Sequence, residues 1–204
     1  MGEFVLQLDD DVTVDESCLK VLVENIEAAG EDIALAPFFL DPATGNPLHR
    51  AEWRGFFRRV NLFLMNGRRG YQPGTVTLSG HSFGPEDNDA EPNFKEVEWL
   101  SGGCVLHRRT NLFTENYFPF AGKAYCEDLI HSFHLRERGV RLGVCRRAKC
   151  YTEGGGDWGS LSECYAEYRA RKYYLRLIAG SWIRLHIWYL AALLRSTMMR
   201  VTGK

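Results

Sequence analysis

The order of apolar and polar positions along this chain alternates between two periods. Phe4–Leu8 is a short apolar run that stops abruptly at Asp9, Asp10 and Asp11, the signature of a strand leaving a core. Asp15 then offers a helix N-cap. Leu19, Leu22, Val23 and Ile26 recur at helical spacing, and Gly30 supplies the stop. Ile33–Phe39 reads as a second buried strand, followed by a turn over 41–47 rich in Pro, Gly and Asn. Residues 49–66 place Trp53, Phe56, Phe57, Val60 and Leu64 at helical spacing with arginines between them, and Gly67 ends the pattern.

Residues 68–96 change character. Apart from a strand-like run at 75–78 they are dominated by Gly, Pro, Asp and Asn, which predicts a long loop of the kind that carries function. Val97–Leu100 and Cys104–His107 are apolar runs that flank Ser101-Gly102-Gly103. Cys126–Arg138 reads as a helix capped by Gly139, and Val140–Val144 as a strand. A glycine-rich loop over 152–160 precedes a helix starting near Ser160 or Leu161. Strands alternating with helices predict an α/β domain.

The end of the chain is apolar but interrupted. Leu177–Leu194 contains Arg184 and His186, and a central Arg costs roughly 2.5–3.5 kcal/mol on membrane-insertion scales. Trp182, Trp188, Tyr189 and the flanking arginines fit a helix lying in a membrane interface. A helix packed on the protein or a partner, and a membrane span, are the other two readings. The pattern divides the chain into a domain over 1–165 and a basic, aromatic helical tail over 166–204.

Composition sharpens this division. Hydrophobic residues make up 45% and charged residues 25% of the 204 positions, as in folded proteins, and the net charge is −1. That near-neutrality hides an asymmetry. Residues 1–167 hold 17 basic and 26 acidic side chains, whereas 168–204 hold eight basic and none acidic. An acidic body with a basic tail points the tail at an anionic surface. The reading includes no nucleic acid. Six cysteines without a CxxC pair, in a chain of this length, point to reduced thiols in a cytoplasmic setting. Met1 is followed by neither a basic region nor an apolar stretch, so no signal peptide is expected.

Four groups of residues can carry chemistry. Asp9 and Asp11 share one side of a strand end, and two converging carboxylates suit a hard cation such as Mg²⁺ or Mn²⁺. Solvated carboxylates at a strand end are the plainer explanation. Glu127 and Asp128 open a helix, where the macrodipole favours acids, and a carboxylate held there can also act as a general base. Trp99-Leu-Ser-Gly-Gly-Cys104 permits close backbone approach to a ligand, or forms an ordinary turn. Glu127, His131 and His134 share a helical face but lack the spacing of a metal motif, and hydrogen-bonded histidines are the simpler reading.

Taken in order, Leu-Asp-Asp-Asp-Val12, Trp-Leu-Ser-Gly-Gly-Cys104, Tyr-Cys-Glu-Asp-Leu129 with Leu-Arg-Glu-Arg-Gly139 after it, and then a glycine loop, the motifs resemble the family 2 glycosyltransferases of the GT-A fold. The resemblance covers roughly residues 2–175. It implies a partial GT-A, Rossmann-like domain with a mixed sheet and a C-terminal amphipathic helix. By position, Asp9 and Asp11 match the family's DxD, with Asp11 the leading metal ligand. Asp128 matches the catalytic base, beside Glu127. Gly102 and Gly103 match the segment lining the donor and acceptor pocket, Trp99 offers a sugar-stacking face, and Gly154 and Gly155 fall in a segment near the diphosphate.

The resemblance implies transfer of a sugar from a nucleoside-diphosphate donor to a hydroxyl of a glycan, lipid-linked or other acceptor, with inversion and a divalent cation, in glycan or cell-surface polysaccharide synthesis. It places the chain in the cytoplasm, with its tail available to a membrane face. Two departures stand out. Thr152 lies near the place where many relatives carry a histidine before the glycine loop. Nearly everything the family places ahead of its DxD is missing, so the chain is expected to be the C-terminal portion of such an enzyme. Two alternatives compete. Asp9-x-Asp11-x-Thr13 also fits a haloacid-dehalogenase-type phosphatase with Asp9 as nucleophile and Asp11 as acid/base. An inactive, membrane-docked interaction module is the other.

Overall fold

The computed structural model describes residues 2–30, 32–48, 55–86, 94–153 and 160–202. A mixed sheet stands at its centre. Its strands are β1 (Phe4–Leu8), β2 (Thr13–Val14), β3 (Ile33–Leu40), β4 (Lys95–Glu96), β5 (Cys104–Arg108) and β6 (Arg141–Tyr151), in the order β1-β5-β3-β6-β2, with β4 also pairing β6. β5 runs antiparallel to both β1 and β3, whereas β3 and β6 are parallel. The helices are α1 (Cys18–Ala29), α2 (Phe56–Asn66), α3 (Glu127–Glu137), α4 (Leu161–Leu177) and α5 (Trp182–Thr202).

The continuous apolar sequence of β3 follows from its place. All eight residues are buried, because helices cover both faces of the sheet. Ala34, Ala36, Phe38 and Leu40 join Leu135 of α3 and Leu142 and Val144 of β6 on one face. Ile33 and Leu35 join Leu22 and Ile26 of α1 on the other. α3 and α4 add a further layer, in which Val76, Trp99, Leu129, Ile130 and Tyr174 pack together.

Several sequence expectations change in detail. Helix α1 starts at Cys18 with Ser17 as its N-cap, and Asp15 acts one step earlier by accepting hydrogen bonds from the backbone N and Oγ of Ser17. Gly30 closes α1 in the left-handed conformation, as its position predicts. Val97–Leu100 follows β4, whose pairing with β6 is confined to Lys95–Glu96, and the Leu100 amide donates to Ser132 Oγ. Residues 75–83 form a tight hairpin-like turn bridged at Val76 and Ser82, rather than a strand over 75–78. β6 is longer than Val140–Val144 and runs to Tyr151, with an irregularity in its register against β3 at Pro37/Phe38. Trp53, placed by the sequence in the helix before Gly67, lies outside the described residues.

The apolar tail is not one segment. α4 ends at Leu177, Ala179 turns through a positive φ of 51°, and α5 starts at Trp182. Among the described residues, no helix is long and apolar enough to cross a membrane. The expected division after residue 165 falls inside α4, whose Tyr174 and Leu175 are fully buried.

Candidate active site

β1 and β5 lie side by side with Leu8 opposite Cys104, so both strand ends open on the same edge. Beyond Leu8 the chain turns tightly. The Val12 amide donates to the Asp9 carbonyl, and the Asp9 amide donates to the Gly103 carbonyl at 3.0 Å. The aspartate turn is therefore fastened to the glycine pair by backbone. All three aspartates are exposed, so their mutual repulsion is relieved by water and no buried-charge penalty arises.

Of the two glycines, Gly103 is the more tightly surrounded. A Cβ on Gly103 would lie 3.1 Å from Val12 Cγ2, 3.4 Å from Phe39 Cε1 and 3.6 Å from Asp9 Oδ2. A Cβ on Gly102 would lie 3.6 Å from the Cβ of Asp128. Gly102 and Gly103 thus form the floor between the Asp9 turn and the start of α3. Gln7 of β1 steadies that floor by donating from Nε2 to the Gly102 carbonyl.

Asp128 and Glu127 occupy the first turn of α3. Burial of Asp128 pushes its carboxyl up to about 6. The Leu129 amide and the Arg171 guanidinium pull it back, and Glu127 adds to the rise. Glu127 is also raised, first by partial desolvation and then by the charge of Asp9. That electrostatic contact joins the two acidic groups across the glycine floor, although they are far apart in sequence. A carboxylate poised near neutrality is suited to accept a proton.

Arg171 of α4 is the functional neighbour that sequence patterning did not single out. It donates to the Gly80 carbonyl at 2.6 Å, pairs with the half-buried Glu167 one turn earlier, and projects its charge toward Asp128. The i, i+4 pairing of Glu167 with Arg171 was the available signal, but it lies past residue 165, where the pattern suggested a separate tail.

The other expected site residues divide. Trp99 is 5% exposed, and its indole N–H donates to the Phe83 carbonyl at 2.9 Å. It nevertheless lines an apolar pocket with Pro37, Phe38, Phe39, Pro47 and Ser101, next to the glycine floor. Gly154 and Gly155 lie outside the described residues. Thr152 donates from its amide to the Leu40 carbonyl. His131 is hydrogen-bonded to the Tyr117 hydroxyl, and burial lowers its pKa to about 4. Among the described residues, no group of three or more His, Cys, Asp or Glu side chains is arranged to hold a metal ion.

The donor set at the Asp9 turn bears on which ion it suits. Asp9 and Asp11 offer hard, exposed oxygens and no soft ligand. That composition fits Mg²⁺ or Mn²⁺, which are commonly held by one or two carboxylates, with water and substrate phosphate completing the shell.

No family model matches the sequence, and no curated protein matches it. Among solved structures, the chain is similar to a crystal structure of GalNAc-T7 with UDP, GalNAc and Mn²⁺, with a TM-score of 0.55 and 14% sequence identity. The likeness covers 91% of this chain and 34% of the other, so the chain spans about a third of the length of that neighbour. The fold is GT-A-like, a mixed α/β arrangement of the kind found in glycosyltransferases.

Proposed function

We propose that this chain belongs to a metal-dependent glycosyltransferase resembling family 2, transferring a sugar from a nucleoside-diphosphate donor to a hydroxyl acceptor with inversion. One observation carries the reading. Gly102 and Gly103 lie between the Asp9 turn and Asp128, and a Cβ on Gly103 would press on Val12 at 3.1 Å. Two acidic groups with different surroundings then take different roles, one exposed to water and one raised toward neutrality. The GT-A-like fold and the Mn²⁺ and UDP bound to the solved neighbour support the same assignment.

Asp11 and Asp9 would hold the divalent cation at the donor diphosphate. When bound, the cation supplies Lewis-acid stabilisation of charge on the departing nucleoside diphosphate. Asp128 accepts the acceptor hydroxyl proton as the oxygen attacks the anomeric carbon, and Glu127 sustains its raised proton affinity. Arg171 limits that rise, so that Asp128 is still ionised at neutral pH. Gly102 and Gly103 admit the donor sugar, and Trp99 lines the adjoining pocket. The acceptor belongs to glycan or cell-surface polysaccharide synthesis in this reading.

Calorimetric titration of the chain with UDP and other nucleoside diphosphates, with and without Mn²⁺, tests the donor side. Metal-dependent binding that disappears in Asp11→Asn and survives in Asp128→Asn is the expected result. Binding that ignores both the metal and Asp11 would overturn it.

A further inference from the structure

The sequence pattern gives α2 an apolar stripe, and such a stripe ordinarily faces a core. In the structure only Met65 and Asn66, at the last turn of α2, are buried. Phe57 is 85% exposed, Phe56 is 74% exposed and Phe63 is also exposed. Three exposed phenylalanines on one short helix form an apolar surface that requires an explanation.

α2 packs beside α5, which has the same property. Ile183, Ile187 and Leu190 of α5 are exposed and recur at helical spacing, with the half-exposed Trp182 just before them. The two helices are fastened by Arg184, which donates to the carbonyls of Phe63 at 2.6 Å and Leu64 at 3.1 Å. Its guanidinium also lies 5.6 Å from the Phe63 ring centroid. The arginine that interrupts the apolar tail is thus a clamp between the helices, and it sets the two apolar stripes beside one another.

The segments that carry these stripes hold charge of one sign. Residues 55–85 and 168–204 contain no Asp or Glu, so all 26 acidic residues of the chain lie elsewhere. Arg58 and Arg59 on α2, and Arg68 and Arg69 just after it, are exposed. Apolar side chains rimmed by arginines, with a tryptophan at the edge, match the boundary between headgroups and acyl chains in an anionic bilayer. Arg184 and His186 inside α5, together with the lack of a spanning helix among the described residues, keep α5 in the plane of that boundary.

We propose that α2 and α5 form a two-helix platform that docks the protein on an anionic lipid surface. The platform does not depend on the transfer reaction, so the two readings fail separately.

Flotation of the full chain with vesicles of phosphatidylcholine, alone or mixed with phosphatidylglycerol, provides the test. Binding to the anionic vesicles is expected, weakening as salt rises. The double variant Phe56→Ser/Phe57→Ser and the charge reversal Arg68→Glu/Arg69→Glu should each lower partitioning by about tenfold or more. Asp128→Asn should bind vesicles as well as the parent chain. Circular dichroism and melting curves establish that the variants keep the fold. Failure to float with anionic vesicles, equal flotation by the parent chain and both surface variants, or a stable dimer that dissociates in Phe56→Ser/Phe57→Ser and ignores vesicles, would each overturn the proposal.

Discussion

At the Asp9–Asp128 floor the fold crowds carboxylates around two glycines, and burial and repulsion raise the proton affinity of Asp128 and Glu127. At the α2–α5 end the two helices carry no carboxylate of their own, and aromatic rings stand in water. Each region departs from what packing alone favours, and the departures differ in kind. The first is rigid and assembled from backbone hydrogen bonds over long sequence distances. The second is an outward surface whose only buried anchors on α2 are at its last turn. A region that must aim reacting groups needs the first kind of construction. A region that meets a broad surface tolerates the second.

Substitutions should break this contrast unequally, and the largest effect belongs to the floor. Asp128→Asn should reduce sugar transfer by about 10²–10⁴-fold while leaving donor binding intact. It should not lower the melting temperature at neutral pH. Asp128 has a folded pKa of about 6, above the ordinary carboxylate value of 3.8, so its ionisation in the fold opposes stability above about pH 6 and the opposition fades as pH falls. Activity should run the other way, rising as pH passes about 6. A flat pH profile for transfer would remove Asp128 from the role of base.

Arg171→Met should be the most damaging change to stability, by about 3–5 kcal/mol, because it strands the half-buried Glu167 and frees the Gly80 carbonyl. Urea denaturation of the variant and of Glu167→Gln/Arg171→Met measures it, and the double variant should recover part of the loss. Gly103→Ala is milder. Its methyl group meets Val12 at 3.1 Å, which should displace the Asp9 turn and lower transfer by up to about a hundredfold with the fold retained. An unchanged rate in that variant would show that the floor is not where donor and acceptor meet.

Mild acid sharpens the comparison further. Burial lowers the pKa of His131 to about 4 and lowers His107 as well. Neutral histidines of this kind stabilise the fold above the unfolded value of 6.5, and that contribution is lost as pH falls from about 6.5 toward about 4. Melting curves across that window should shift less in His131→Gln than in the parent chain. The smallest effect is expected at the platform. Phe57→Ser should change stability by no more than about 0.5 kcal/mol, since its ring contributes little buried surface.

The sequence carried most of the sheet. β1 and β3 are local apolar runs whose ends are marked by Asp9 and Asp41, and Gly30, Gly67 and Gly139 mark helix ends by their conformational freedom. The carboxylates of the site were equally readable as residue types, but their convergence was not. It depends on the antiparallel pairing of β1 with β5 and on the closeness of Gly102 to Asp128, both of which join distant segments. Arg171 escaped because its partners, Gly80 and Asp128, are distant in sequence. For α2, periodicity reports that the helix has an apolar face and is silent about what that face meets.

Cys126 carries one more consequence. It precedes Glu127 and Asp128 with a φ of 58°, in the left-handed region that a side chain resists. Holding a non-glycine residue there costs on the order of 1–3 kcal/mol, and the surrounding packing must over-determine it. The Cys126 side chain is half-buried, and burial pushes its thiol up to about 11, so it stays protonated and chemically quiet. Its side chain instead packs against the cluster of Val76, Trp99, Leu129, Ile130 and Tyr174 at the entrance to α3. A glycine would relax the kink and remove that packing together. In this position conformational ease and accurate aim of the adjacent acids are opposed, and the chain has settled on aim.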